Sequence, residues 1–307
     1  MAGYTRGKIV RYHLRAPATS ANLGPGFDAL GIALGLHNEF SFGIAQRSVV
    51  FGCEDRHSGP DNLFLRSFRF ACLRLDKTAP ELELEVRASI PLARGLGSSA
   101  AMIAGGVGAA FLLFGDFDQA SKRKMLEIAA DMEGHPDNVA PAILGGFCAS
   151  ISGGDGRYAS ACCEVDPEWR FHALIPPFEL PTAQARAALP AAYPKSDAVY
   201  NLGRSALLSL AISQRRLDLF GEACGDMLHQ PYRKSLIPGW DEVTEACRTA
   251  GAAAFWLSGA GPTIMALGTA EDAENFAHRI RSALIRPEGA WRHEILSPDP
   301  KGLEIIA

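Results

Sequence analysis

Alternating apolar and charged positions over residues 81–86 (ELELEV) open the most informative stretch of the chain. Every second residue is Leu or Val and the residues between them are Glu, which is the period-two pattern of a strand with one face in water. Residues 100–114 are instead small and apolar at nearly every position, and Gly115 follows them. This pattern predicts a helix that ends at Gly115, because glycine is favoured at helix C-termini.

A glycine-rich turn joins the predicted strand to the predicted helix. Pro91 closes the strand region because it cannot donate to a β-ladder, and Gly95 and Gly97 permit backbone angles that other residues resist. Ser98 and Ser99 stand where the helix begins, and serine is a good N-cap. A helix N-terminus carries unpaired N–H groups and a partial positive charge. The turn therefore suits a polyphosphate, with two hydroxyls able to reach a phosphate oxygen or a metal.

Three interpretations of this turn compete: an ordinary glycine-capped turn, a dinucleotide-binding turn and a nucleoside-triphosphate loop. Gly95, Gly97 and Ala100 fit the dinucleotide pattern G-x-G-x-x-A. That pattern is disfavoured because it follows a strand buried on both faces and needs a second strand soon afterwards, where residues 116–133 look helical. A triphosphate loop here is not of the Walker type, because G-x-x-x-x-G-K-[ST] occurs nowhere in the chain.

Helical periodicity returns over residues 121–133, and the helix is expected to stop at Gly134. Glu127 and Asp131 share one face of it, whereas Glu133 lies about 240° round the axis from Glu127. Acidic residues on such a helix are usually solvated. Their position after an anion-binding turn, together with the polar turn at residues 135–138 (HPDN), favours a function, because a carboxylate is the usual ligand of a phosphate-bound cation.

Residues 15–34 are dense in Pro, Gly, Ser and Asn and predict an ordered loop. Asn22 and Asp28 stand on either side of its central LGPGF segment. One interpretation is structural, with an Asx-turn at Asn22 and an N-cap at Asp28. The other is a substrate-facing loop that holds a carboxylate near a hydroxyl.

The second half of the chain adds three candidate features. Thr182 is a predicted N-cap of a helical stretch that contains Arg186, and Arg233 lies in a proline-punctuated turn. Each arginine taken alone is either a surface residue or an anion ligand. Residues 258–262 (SGAGP) join two predicted strands, either as a plain turn or as a second wall of an anion site.

The composition of the chain argues against several classes of protein. The 307 residues are 48% hydrophobic and 21% charged, which is typical of a globular protein with one large or two modest domains. A net charge of -4 gives no general attraction to nucleic acid or anionic membranes. Seven cysteines without a C-x-x-C pair predict reduced thiols in a cytosolic protein. The motif H-E-x-x-H does not occur, so the sequence does not predict a zinc site. The N-terminus has no signal-peptide core, and the apolar run is too short to span a bilayer.

Taken together, separated motifs resemble the GHMP kinase superfamily over nearly the whole chain. Residues 91–101 (PLARGLGSSAA) resemble its phosphate loop, and residues 258–263 (SGAGPT) resemble its C-terminal glycine motif. Residues 15–31 (RAPATSANLGPGFDALG) and 133–146 (EGHPDNVAPAILGG) are more selective. They resemble the homoserine kinase family more than the mevalonate, galactose or diphosphocytidyl-methylerythritol kinases.

The resemblance implies an α+β protein with the two-domain GHMP kinase fold. A ribosomal-S5-domain-2-like domain is expected over residues 1–160 and a ferredoxin-like domain over residues 161–307. The implied reaction is phosphoryl transfer from ATP, with Mg²⁺, to the side-chain hydroxyl of L-homoserine, which gives O-phospho-L-homoserine on the route to threonine. The resemblance further implies a homodimer, whereas the composition implies a cytoplasmic location and no nucleic-acid or membrane partner.

The resemblance also implies a role for particular residues. Asn62 is implied to contact the nucleotide base of ATP. The other residues implied to bind ATP are Pro91, Leu92, Ala93, Arg94, Gly95, Leu96, Gly97, Ser98, Ser99, Ala100 and Ala101. The metal is expected on Ser98 or Ser99 with Glu127, chosen over Glu133 because it lies eight residues before His135. Those implied to bind the substrate are Asn22, Asp28, His135, Asp137, Asn138, Thr182, Arg186, Arg233, Gly259 and Gly261. Asp28 and Glu127 are the expected catalytic residues.

This assignment suits the chemistry of homoserine. Two arginines offer planar forked donors to its carboxylate, Asp137 and Asn138 can accept from its ammonium group, and Asp28 can orient its hydroxyl. Phosphoryl transfer passes through a loose transition state, so positioning and charge stabilisation can supply most of the rate. Whether Asp28 acts as a base or only orients the hydroxyl therefore stays open.

Overall fold

The computed structural model describes residues 10–153 and 157–306. The strands within these residues are β1 (Tyr12–Asn22), β2 (Gly26–Ile44), β3 (Val49–Phe51), β4 (Leu82–Arg87), β5 (Phe147–Ser152), β6 (Tyr158–Cys163), β7 (Trp169–Ile175), β8 (Ala254–Leu257), β9 (Ile264–Thr269), β10 (Ile285–Arg286), β11 (Gly289–Ala290), β12 (Arg292–Leu296) and β13 (Glu304–Ile305). The α-helices are α1 (Leu63–Arg74), α2 (Ser98–Phe114), α3 (Gln119–Glu133), α4 (Pro136–Leu144), α5 (Thr182–Ala187), α6 (Lys195–Ser213), α7 (Leu217–Ala223), α8 (Gln230–Arg233), α9 (Trp240–Thr249) and α10 (Ala273–Ile280).

Seven strands form the first sheet, in the order β13-β1-β2-β4-β3, with β5 pairing to β2 and to β6. All of these pairs are antiparallel except β3 with β4. The predicted alternating strand is β4, and its Leu and Val side chains are buried while its Glu side chains are partly exposed. The alternation in the sequence therefore marks a strand with one face on the core.

Residues 15–34 form most of a hairpin rather than the predicted loop. The two long strands β1 and β2 meet there at a tight turn over residues 23–25. Pro17 lies inside β1, where the register of the pairing shifts between Pro17 and Ala18. A strand tolerates proline at such a bulge because a ladder hydrogen bond is already missing there.

Helix α2 is the centre of the first core. It contacts β1 and the helices α1, α3 and α4, which explains why its side chains are small and apolar around its circumference. Close approach to α1 requires glycine, since a Cβ at Gly106 would lie 2.3 Å from the Phe64 carbonyl oxygen. The predicted helix and its end at Gly115 are both confirmed.

A second sheet of four antiparallel strands has the order β12-β7-β9-β8. Helices α9 and α10 pack against it and supply Val243, Cys247, Phe276 and Ile280 to a second core. The two strands predicted around residues 258–262 are β8 and β9. They lead into and out of a loop that faces the first sheet.

The chain returns to the first sheet after β12. Leu303 is fully buried in the first core, and β13 pairs with β1. The predicted division after residue 160 falls inside β6, which belongs to the first sheet, and the second sheet begins at Trp169. A single cut therefore does not separate the two sheets, because the C-terminal segment adds a strand to the first one.

Cys148 in β5 lies opposite Cys162 in β6, and the two form a disulfide with their Cα atoms 4.2 Å apart. This pairing corrects the expectation of reduced thiols throughout, which relied on the missing C-x-x-C motif. The other five cysteines, all in described residues, are free. The helices of residues 10–153 and 157–306 include none that is long and apolar enough to cross a membrane.

Candidate active site

One cavity of about 670 Å³ brings most of the predicted site residues together. It lies between the β1–β2 hairpin, the turn before α2, the start of α4 and the loop from β8 to β9. The predicted residues that line it are Asn22, Asp28, Asn62, Pro91, Leu92, Ala93, Arg94, Gly95, Gly97, Ser98, Ser99, His135, Asp137, Asn138, Thr182, Arg186, Arg233, Gly259 and Gly261. We call the turn from Pro91 to Ser99 with Glu133 the phosphate half, and the remainder, centred on Asp28, Asp137, Arg186 and Arg233, the amino-acid half.

The turn of the phosphate half is held against two other parts of the chain. Gly95 and Gly97 have φ angles of 76° and 68°, in the left-handed region that favours glycine. A Cβ at Gly97 would lie 1.9 Å from Thr19 Oγ1, and one at Gly95 would lie 2.3 Å from the Ser258 carbonyl oxygen. The Ser258 hydroxyl also donates to the Gly95 carbonyl at 2.6 Å. Both glycines are therefore required by conformation and by close approach.

Two hydroxyls stand at the N-terminus of α2. Ser98 Oγ is buried and has no hydrogen-bond partner among the described residues. Ser99 Oγ donates to Glu133 Oε1 at 2.8 Å. An orphaned buried hydroxyl and a serine–carboxylate pair at a positive helix end form an oxygen-rich site that suits a phosphate oxygen and a hard cation.

Glu127 does not belong to this site, which corrects the choice made from the sequence. It is exposed on α3 and does not line the cavity, whereas Glu133 does and contacts Ser99. The cause is helical geometry, because six residues turn the side chain by about 240°. Glu133 ends α3 immediately before Gly134, where the chain turns into the cavity.

Three further predicted ATP ligands face the core instead of the cavity. Leu96, Ala100 and Ala101 are buried in the first core and are absent from the cavity wall. Asn62 does line the cavity, but its amide has structural partners. Its side chain caps α1 by accepting from the Phe64 N–H at 3.0 Å, and its amide group donates to the His57 carbonyl at 2.8 Å.

Asp28 is the centre of the amino-acid half. It lies in β2 with a φ angle of 56°, a left-handed conformation that costs energy for a residue with a Cβ. Its N–H donates to Asn22 Oδ1 at 3.0 Å, and its carboxylate accepts from Arg186 Nη1 and Nη2 at 3.1 and 2.8 Å. This hydrogen bond and the negative charge of Asp28 raise the pKa of Arg186. The turn from Asn22 to Asp28 is therefore linked to Arg186 through the Asp28 carboxylate. Asp28 is not the N-cap of a helix.

Arg233 is almost completely buried, with 1% of its surface exposed. Its Nε donates to the Ala185 carbonyl at 3.2 Å and its Nη1 donates to the Gly259 carbonyl at 3.1 Å. Burial and the nearby positive charge of Arg186 lower the pKa of Arg233. Two guanidinium groups at one end of a cavity suit a ligand that carries a carboxylate.

The predicted polar turn at residues 135–138 is the start of α4, with Pro136 at its first position. His135 and Asp137 form a 2.5 Å contact between Nδ1 and Oδ1. Burial disfavours the charged imidazole, but the hydrogen bond to Asp137 and the charges of Asp137, Glu133 and Asp28 outweigh it, so the pKa of His135 is raised. Asn138 Oδ1 accepts from the Thr19 hydroxyl at 2.8 Å, so Asn138 is already engaged in fixing the site.

The site also contains residues that no sequence pattern singled out. Thr19 contacts both Gly97 and Asn138, and the Phe27 ring lies within 5.8 Å of both arginine guanidinium carbons. His229 and Asp226 precede Arg233 on the same segment, and His229 Nδ1 lies 3.3 Å from Arg233 Nη1. Thr182 is the first residue of α5, and the cap position is taken by Pro181.

Comparison with known proteins identifies the class. A model of the GHMP kinase N-terminal domain matches residues 62–146, and a model of the GHMP kinase C-terminal domain matches residues 206–286. With the two-sheet fold and the helix N-terminus that opens on the cavity, these matches define a GHMP kinase.

Individual relatives narrow the class further. The chain is 40% identical to homoserine kinases of Clostridium botulinum (strain Alaska E43) and Clostridium beijerinckii, over 95% of this chain and 98% of each relative. A crystal structure of homoserine kinase from Cytophaga hutchinsonii superposes with a TM-score of 0.87 at 27% identity, covering 99% of this chain and all of that one. The chain belongs to the homoserine kinase family, and the predicted α+β GHMP kinase fold is confirmed.

Proposed function

We propose that this protein transfers the terminal phosphoryl group of ATP to the side-chain hydroxyl of L-homoserine, giving ADP, O-phospho-L-homoserine and the proton released from that hydroxyl. The observation that carries the proposal is that a helix N-terminus, two arginines and two aspartates line the same cavity. The first feature recognises a polyphosphate and the second recognises an amino acid. A kinase for a neutral alcohol has no use for the second feature.

The phosphate half supports the role of phosphoryl donor site. Gly95 and Gly97 bring the backbone close to a bound anion, and the N-terminus of α2 supplies N–H donors and positive potential. The Ser98 hydroxyl, which lacks a partner among the described residues, is free to donate to a phosphate oxygen. Pro91 to Arg94 and Asn62 also line the cavity, and we place the nucleotide base near them.

Ser99 and Glu133 are the residues that would hold Mg²⁺. Their oxygen atoms are the hard ligands that this cation prefers, and they already lie 2.8 Å apart at the start of α2. When bound, Mg²⁺ supplies neutralisation of charge on the phosphate oxygens.

The amino-acid half supports recognition of homoserine by its three polar groups. Arg186 has both terminal nitrogens on Asp28, so we assign the substrate carboxylate chiefly to Arg233. Asp137 is 3% exposed and supplies a negative charge for the ammonium group. Asp28 then accepts from the substrate hydroxyl, and its pairing with Arg186 holds it in place for that contact.

Asp28 acts in this proposal by orientation. Its carboxylate directs the hydroxyl lone pair toward the phosphate half, which brings the reacting groups together without a separate bimolecular encounter. The guanidinium group of Arg186 beside it stabilises negative charge during the transfer. A requirement for Mg²⁺, a cytoplasmic location, a homodimeric assembly and a place on the route to threonine stay predictions from the resemblance and the composition.

The test is steady-state kinetics with identification of the product. Purified protein with Mg-ATP and L-homoserine is expected to release ADP and to form one phosphate monoester, seen by ³¹P NMR. Arg233→Ala is expected to raise the KM for homoserine by about tenfold or more, with little change in the KM for ATP. Arg123→Ala, an exposed residue on α3 that does not line the cavity, is the matched control. Equal changes in both Michaelis constants would remove Arg233 from the amino-acid site.

A further inference from the structure

A buried polar network adjoins Arg233 and does not line the cavity. His229 at its centre is fully buried, and so is the side chain of Asp226. Buried polar groups carry a desolvation cost unless each is hydrogen-bonded. The partners of His229 therefore indicate what the imidazole does.

The two ring nitrogens of His229 have partners of opposite kinds. Nε2 lies 2.8 Å from the Gly24 carbonyl oxygen, which only accepts, so Nε2 carries the hydrogen. Nδ1 lies 3.3 Å from Arg233 Nη1, which only donates, so Nδ1 offers its lone pair. Burial lowers the pKa of His229, which agrees with a neutral ring. The imidazole is thus held as one tautomer between the Gly24 turn and Arg233.

Asp226 fixes the backbone of this segment. Its carboxylate accepts from the N–H groups of Leu228, His229 and Gln230 at 2.7 to 3.0 Å, and from Asn201 Nδ2 at 2.7 Å. His229 therefore has little freedom of its own, and the direction of its Nδ1 lone pair is set by the fold.

The contacts of Arg233 leave one part of the guanidinium open. Nε is on the Ala185 carbonyl, and Nη1 is shared between the Gly259 carbonyl and His229. Nη2 makes no hydrogen bond to any described residue. Since Arg233 lines the cavity, Nη2 is the nitrogen available to a ligand.

His229 also connects Arg233 to the other side of the amino-acid half. Gly24 lies in the turn between Asn22 and Asp28, and the Phe27 ring stacks on His229 with centroids 5.5 Å apart. A shift of the imidazole would therefore move Arg233 relative to Asp28. The distance between these two groups is what a substrate with a carboxylate and a hydroxyl must match.

We propose that His229 is a positioning residue for carboxylate recognition: by accepting from Arg233 Nη1 while donating to the Gly24 carbonyl, it aims Nη2 at the substrate carboxylate. The proposal rests on the role assigned to Arg233 above. It predicts that loss of the Nδ1 acceptor weakens binding of the carboxylate specifically.

Two amide substitutions separate the two contacts of the ring. A glutamine amide reaches the position of Nε2, so His229→Gln keeps a donor for Gly24 and loses the acceptor for Arg233. An asparagine amide reaches the position of Nδ1, so His229→Asn keeps an acceptor for Arg233 and loses the contact to Gly24. His172→Gln, which replaces another fully buried histidine away from the cavity wall, is the control for burial.

The readout is the contribution of a ligand carboxylate to binding. L-2-aminobutyrate is homoserine without its hydroxyl, and propylamine lacks the carboxylate as well. The inhibition constant of propylamine divided by that of L-2-aminobutyrate, both measured against homoserine, gives that contribution in each variant. A purely structural role of His229 would weaken both inhibitors and leave the ratio unchanged.

We expect His229→Gln to lower this ratio by about tenfold, His229→Asn to lower it much less, and His172→Gln to leave it unchanged. In an Arg233→Ala background, His229→Gln is expected to have no further effect on the ratio. The proposal fails if Arg233→Ala lowers the ratio and His229→Gln does not. If Arg233→Ala itself leaves the ratio unchanged, the assigned role of Arg233 is wrong. If His229→Gln does not fold, a ratio for His229→Asn as low as that of Arg233→Ala would overturn the proposal.

Discussion

The two halves of the cavity are built in different ways. The phosphate half comes from one continuous stretch, the turn from Pro91 to Ser99, completed by Glu133, and its chief groups are backbone N–H groups at the start of α2. The amino-acid half is assembled from side chains of the β1–β2 hairpin and the helices α4, α5 and α8, which are far apart in sequence. The first depends on backbone conformation, and the second depends on pairing between side chains.

This difference determines which substitutions disrupt binding in each half of the cavity. A site made by the backbone is insensitive to many side-chain changes and very sensitive to an added Cβ. A site made of paired charges is sensitive to loss of either partner, because the other is left without compensation in a poorly solvated place. Substitutions in the two halves are therefore expected to differ in kind as well as in size.

Glu133→Gln is expected to have the largest effect, because it removes the only carboxylate that contacts Ser99 among the described residues. We expect kcat/KM to fall by about a hundredfold or more, with partial recovery at high Mg²⁺. Glu127→Gln on the same helix is the matched control and is expected to stay near wild type. Loss of activity in Glu127→Gln with normal turnover in Glu133→Gln would reverse the assignment.

Gly97→Ala is expected to come next. The new Cβ would lie 1.9 Å from Thr19 Oγ1. The positive φ angle at this position would also strain the alanine backbone. We expect a strong loss of ATP binding, measured by titration with a non-hydrolysable analogue. Gly251→Ala is the control, because it has a φ of 86° with no atom within 4 Å and so reports the conformational cost alone, about 1 kcal/mol. Equal effects of the two substitutions on the free energy of unfolding would exclude close approach as the cause. Gly251 does not line the cavity, so ATP binding by Gly251→Ala is expected to stay near wild type.

Arg186→Gln tests the pairing in the amino-acid half. It leaves Asp28 without its bidentate partner, so the carboxylate is no longer fixed for the substrate hydroxyl. We expect kcat to fall by about tenfold with the KM for ATP nearly unchanged, measured at saturating homoserine. A change confined to the KM for homoserine would instead make Arg186 a ligand of the carboxylate.

The smallest effect concerns pH. Because the pKa of His135 is raised above its ordinary value of about 6.5, the charged pair with Asp137 contributes stability below that pH and loses it as pH rises through the folded-state pKa. The difference in melting temperature between wild type and His135→Gln is therefore expected to shrink from pH 6 to pH 8.5. A difference that grows over this range would contradict the direction of the shift.

The same contrast explains what the sequence could predict. The strand β4, the turn at Gly95 and Gly97 and the helix α2 follow from local patterns, and the structure confirms them. The choice of Glu127 over Glu133 failed although helical geometry already separated the two, because only the position of α3 against α2 decides which one faces Ser99.

The remaining features depend on contacts between distant segments. The Asp28–Arg186 pair spans 158 residues, and the His229–Gly24 hydrogen bond spans 205. The pairing of Cys148 with Cys162 depends on strand register, and the return of β13 to β1 depends on the C-terminal path. No local pattern encodes these, since each needs the folded positions of both partners.

The most direct test of the account is ADP release from purified protein with Mg-ATP across homoserine, serine, mevalonate and galactose. The account predicts release with homoserine far above mevalonate and galactose, because neither of these carries both a carboxylate for Arg233 and an ammonium group for Asp137. Release with serine is expected to be lower as well, because its hydroxyl lies one methylene closer to those two groups. Equal or greater release with mevalonate or galactose would contradict the amino-acid half while leaving the phosphate half intact.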